Sequence, residues 1–235
     1  MENIETLENQ AKNGDVYSIL KIAVLAIEDK YDKQKAIEYL LTAGEEHKGE
    51  IYYCLYELYE QKSNFDTKSL DYETAQKYLY QSAKLGNENA FWMIIKKEDE
   101  AKNYEKAIPY IQKFVEQNDG FAMAFLGDYY LEGKGVKASC YKALQFFNGV
   151  FEKCSEETIG EWTKETIIKG KAKIEGLKLA FDEGNISRIL LQRKLSIGYP
   201  LASETFEWLL EKSYINKDGK TIISKEEYEK LFNGN

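Results

Sequence analysis

The sequence predicts a mainly α chain: an α-α superhelix of about four helix pairs, followed by a small winged helix-turn-helix module. Three observations predict it. Apolar residues recur at three- and four-residue spacing over most of the first 184 positions. Alanines that fall inside the second helix of each pair, Ala36, Ala75, Ala107 and Ala143, lie 39, 32 and 36 residues apart, bracketing the period of paired-helix repeats. After Ile186 the pattern changes to two short apolar helices split by a glycine turn and followed by a hairpin signal.

In chain order, a short capping helix is expected near Ile4 to Ala11. The first pair spans Asp15 to Glu28 and Lys33 to Glu46. The second places Tyr52, Leu55, Tyr56 and Tyr59 on its first helix, then a polar loop over 61–70, with Asp71 as cap of its second helix. The third turns at Lys102-Asn103 and carries Pro109 inside its second helix, where proline deletes one backbone hydrogen bond. Each first helix opens on a polar pair: Gly14-Asp15, Gly49-Glu50, Gly86-Asn87 and Asn118-Asp119.

The fourth pair is the clearest. A helix over Phe121 to Glu132 is stopped at Gly133-Lys134-Gly135, because glycine accepts the left-handed backbone of a helix end. Ser139 caps the next helix, which buries Ala143, Phe146, Phe147 and Val150. Ala122, Leu126-Gly127, Tyr130, Gly133, Gly135-Val136, Lys142-Ala143 and Phe146-Phe147 together resemble a Sel1-like repeat, of the tetratricopeptide-like class. That resemblance implies a right-handed superhelix that binds other proteins. Ser155 is expected to begin a long helix to Glu183 with Ile159, Trp162, Ile167, Ile174, Leu177 and Phe181 inward. The domain reading is therefore repeats over 1–154, a capping helix over 155–184 and a winged module over 185–235.

In the last segment, helices are expected over Ser187 to Lys194 and Pro200 to Lys212, strands near Tyr214-Ile215 and Thr221-Ile223, and a final helix behind a Ser224/Glu227 capping box. Leu190-Leu191-Gln192-Arg193, Ile197-Gly198-Tyr199, Glu207, Tyr214-Ile215 and Asp218-Gly219 resemble the gamma domain of the FtsK/SpoIIIE DNA translocases. The resemblance implies a duplex-reading helix after the Ile-Gly-Tyr turn. Pro200 and Glu204 stand where that family has Asn and Arg, and no motor domain accompanies the segment.

Charge separates the two readings of this module. Residues 1–184 hold 24 basic and 33 acidic groups, whereas 185–235 hold eight and seven, within a net charge of −8. The repeats would repel nucleic acid. Duplex DNA could be held only by Arg188, Arg193, Lys194, Lys217 and Lys220, with Glu204, Glu207 and Glu211 facing the phosphates. The first reading is a non-enzymatic scaffold for a protein partner. It uses Tyr52, Tyr56 and Tyr129 on the repeats and a helix face centred on Leu201 and Trp208.

Other classes fall away. Cys54, Cys140 and Cys154 are odd in number and lack CxxC spacing, and His47 is the sole histidine, so neither a disulfide framework nor a metal site is expected. No nucleophile elbow or phosphate loop occurs, and no cofactor is expected. No apolar run of membrane-spanning length and no signal-like start are present, so a cytoplasmic chain with no membrane contact is expected.

Overall fold

The computed structural model describes residues 3–62 and 70–233, and among these it is mainly helical, in thirteen α-helices. The chain divides into two compact units, Met1–Lys97 and Glu98–Asn235. Neither sequence-derived border, at 154 or at 184, coincides with this division.

The first unit is built from α1 (Ile4–Lys12), α2 (Val16–Ile27), α3 (Lys33–Thr42), α4 (Lys48–Lys62), α5 (Leu70–Lys84) and most of α6 (Glu88–Glu100). Consecutive helices pack as hairpins: α1 on α2, α2 on α3, α4 on α5. The caps are local and sequence-driven. Asp15 accepts from the Ser18 amide at 2.9 Å, Asp32 from Lys35 at 2.9 Å and Asn87 from Ala90 at 3.0 Å, each contributing about 1 kcal/mol. Leu7, Ile19, Ile22, Ile37, Leu40, Ile51, Leu55 and Leu58 form the core.

Three expectations are corrected here. The second helix of the first pair ends at Thr42, not Glu46. Gly49-Glu50 lies inside the first turn of α4 rather than ahead of it. Asp71 is likewise inside α5, where it pairs with Lys62 at 3.5 Å instead of capping. Of the loop expected over 61–70, residues 63–69 lie outside the described residues.

The second unit holds α7 (Tyr104–Glu116), α8 (Gly120–Glu132), α9 (Cys140–Lys153), α10 (Glu161–Glu183), α11 (Arg188–Leu195), α12 (Tyr199–Glu211) and α13 (Lys225–Phe232). Asp119 caps α8 through the Ala122 amide at 2.7 Å, and Ser139 caps α9 through Lys142 at 3.2 Å. Gly133 ends α8 at φ 72°. Gly135, at φ 64°, lies so close to the start of α7 that a Cβ would sit 2.6 Å from the Glu105 nitrogen. The loop between α8 and α9 is thereby fixed against the preceding pair.

The Phe147 ring of α9 is fully buried between Gly127 of α8 and Gly170 of α10. One core runs without a break from Met123 and Phe147 through Ile167, Ile174 and Leu177 to Phe206, Leu209 and Ile223. The helix after Cys154 differs from expectation: a 3-10 turn at Glu156–Thr158 precedes α10, which begins only at Glu161. Pro200 is the second residue of α12, not the first. The expected strands reduce to two isolated antiparallel bridges, Ile215 with Thr221 and Asn185 with Lys220. No strand is present among the described residues.

Candidate protein-binding surfaces

Most of the aromatic residues that sequence reasoning placed on a partner-facing surface are used internally. Tyr56 is fully buried, its hydroxyl donating to Glu60 at 2.6 Å, while Lys97 pairs with Glu60 and stands 5.5 Å over the Tyr56 ring. Tyr129 is buried too and donates to Asp99 at 2.7 Å. Burial first, then that hydrogen bond, pushes the Tyr129 phenol well above its ordinary range. Both rings are core residues whose hydroxyls find carboxylates. Tyr52 is half-buried, 5.5 Å from Tyr78, with the Lys48 ammonium 5.7 Å from its ring.

Trp208 reverses its expected orientation. It is 4% exposed, and its indole N–H donates to Glu132 Oε1 at 2.8 Å. The same carboxylate pairs with Lys173 at 3.0 Å and with Lys212 at 2.8 Å. Lys212 also donates to the Glu132 carbonyl at 2.9 Å. The last residue of α8 thus joins α10 and α12 through a largely buried, fully partnered polar node. Burial pushes the Glu132 carboxyl up, but the Lys212 and Lys173 ammoniums outweigh it and hold it below the usual range. Leu201 stays half-buried at the start of α12.

The five cations proposed for DNA are not equivalent. Arg188 donates to Ser203 at 3.2 Å, pairs with Glu207 and lies 4.3 Å over the Phe206 ring, so it serves to hold α11 on α12. Lys194 pairs with Glu183 at 3.0 Å. Arg193, Lys217 and Lys220 are exposed. The outer side of α12 carries Glu204, Glu207 and Glu211, all exposed, which oppose a phosphate backbone.

Trp162 was assigned to the core, yet it is 44% exposed, and Phe121 is 37% exposed. Their rings lie 4.3 Å apart, with Phe125 6.0 Å from each. Phe125 in turn meets Tyr129 at 5.1 Å. An aromatic stripe therefore runs along α8 from its buried end to an open one. The position of Trp162 in the first turn of α10, between Glu161 and Glu165, is the signal that could have marked it as surface.

His47 is exposed beside Glu46 at 3.7 Å and Glu50 at 4.0 Å. No cluster of His, Cys, Asp and Glu fit for a metal is found among the described residues, and no described helix is long and apolar enough to cross a membrane. Burial pushes the Cys54 and Cys140 thiols up to about 12, and Cys154 is half-buried, donating to the Asn118 carbonyl at 3.2 Å. Because the thiolate is the reactive form, a disulfide reagent is expected to label Cys154 alone in the folded chain. All three thiols should react in denaturant, and native labelling of Cys54 or Cys140 would contradict this packing.

No protein-family model and no curated protein match the chain. A solved structure similar to it is the crystal structure of a Sel1 repeat protein from Oxalobacter formigenes. The two share 17% identity with a TM-score of 0.35, over 92% of this chain and 77% of that one.

Proposed function

We propose that the chain is a non-enzymatic adaptor of Sel1-like helix pairs that binds a protein partner. The observation that carries this reading is the open end of the aromatic stripe, where Trp162 and Phe121 present rings 4.3 Å apart, tilted by 33°, at the surface. Aromatic side chains held rigid by their neighbours contribute large contact area and lose little entropy on binding, which is why they dominate protein interfaces. The Sel1-like reading is supported by the left-handed Gly133, the close approach of Gly135 to α7 and the glycine-lined slot for Phe147.

A winged-helix reading of the end of the chain is supported by element order: α10, the Asn185 bridge, α11, the turn at Ser196-Ile197-Gly198, α12, then the Ile215 and Thr221 bridge. We place protein rather than DNA on this module, because Arg188 and Lys194 are already paired and α12 turns carboxylates outward.

The test is affinity capture from source lysate by the full chain and by Trp162→Ala. The wild-type chain should retain a discrete protein that the variant loses, while both keep the same helical circular dichroism and the variant loses no more than about 1 kcal/mol of stability. Retention of duplex DNA without any protein would overturn the reading.

A further inference from the structure

A second surface feature lies between the exposed side of α10 and the first turns of α12. Glu161, Lys164, Glu165, Ile168, Lys169, Pro200, Leu201 and Glu204 line a groove of about 600 Å³. Its floor is apolar without serving the core: Ile168 is 56% exposed, although its neighbours Ile167 and Ile174 are fully buried. Its walls carry three carboxylates against two lysines, one net negative charge. Lys164 is engaged by Glu161 at 3.4 Å. Lys169 is shared between Glu165 at 2.9 Å and Glu204 at 3.6 Å. Three carboxylates thus face two lysines that they already hold, which leaves one carboxylate charge for an incoming cation.

We infer that this groove docks a basic amphipathic helix of the protein partner, its apolar side on Ile168, Pro200 and Leu201 and its cations against Glu161, Glu165 and Glu204. The inference rests on the adaptor reading above and names the chemistry of what the adaptor holds. Both walls are helices, so no strand edge is offered to an extended peptide, and the lining has no aromatic residue for a polyproline segment, which favours helix-in-groove packing. An acidic segment or a nucleic acid would meet like charge.

A fluorescein-labelled peptide of about four helical turns, leucine on one side and lysine on the other, tests this by anisotropy against the full chain. Its glutamate counterpart is the control. The lysine peptide should bind the wild type, and the glutamate peptide should not. Ile168→Ser, an exposed change that leaves the fold intact, should weaken binding about tenfold or more, as should Glu161→Lys combined with Glu204→Lys.

Equal affinity for wild type and Ile168→Ser would overturn the groove assignment, since attraction to the net charge alone would then suffice. So would equal binding of the two peptides. If the groove variants still capture a protein that Trp162→Ala loses, the groove fails and the adaptor stands. If no variant and no wild-type chain captures protein, both fail.

Discussion

Gly170→Ala is expected to destabilise the second unit by about 2 kcal/mol, although alanine is the better helix former. Two effects of opposite sign compete at this position. Glycine inside a helix costs about 1 kcal/mol relative to alanine, so at an open site the substitution would stabilise. Gly170 is buried in the middle of α10, and the Phe147 ring occupies the space where a Cβ would stand. Overpacking of this kind costs about 1–3 kcal/mol, and more where neighbours cannot move. Phe147 cannot retreat, because a Cβ at Gly127 on its other side would also come within 2.6 Å of the ring. Overpacking therefore wins. Urea unfolding of Gly170→Ala should show a lower midpoint, and adding Phe147→Leu should recover part of the loss as a coupling between the two sites. A raised midpoint in the single variant would mean that the slot is not as tight as described.

Gly170 also shows where sequence reading stops. The cap at Ser139, the Ser224/Glu227 capping box and the left-handed Gly133 were legible because each is settled within about one helical turn of its own residue. The slot around Phe147 needs α8, α9 and α10 together, and a single glycine between lysines gives only a weak local hint. Trp208 failed for the same reason. A helical wheel of α12 finds one apolar side in Ala202, Phe206 and Leu209, and turns Trp208 outward. The helix buries a second side as well, because Glu132, 76 residues earlier, receives the indole N–H. Tyr129 likewise reaches back 30 residues to Asp99. The two-sided packing of α10 was hidden for the same reason: its Gly170 faces Phe147, while its Gly176 faces Thr205 of α12. Leu201 is half-buried at the start of α12, and the groove beside it needed Ile168 from another helix to become visible.

Glu132→Gln is expected to cost about 3 kcal/mol, the loss that follows when one member of a buried charge cluster is removed and the others stay. The amide retains an oxygen for Trp208, but Lys173 and Lys212 then share a largely buried site with no opposing charge. The pH dependence gives a separate signature. The folded pKa of Glu132 lies below its unfolded value, since the two ammoniums outweigh the effect of burial. Its contribution is thus fully present above the unfolded carboxylate value of about 4.3 and is lost as pH falls through the folded one. Wild-type stability should fall over that acid window more steeply than that of Glu132→Gln, so that the difference between them narrows. Replacing Glu132, Lys173 and Lys212 together by leucine or methionine, with Trp208→Phe so that no buried indole N–H loses its acceptor, should restore much of the loss, because apolar packing of similar volume removes the desolvation cost of all three charges. Parallel pH dependences of wild type and Glu132→Gln would show that the carboxylate does not hold α8, α10 and α12 together.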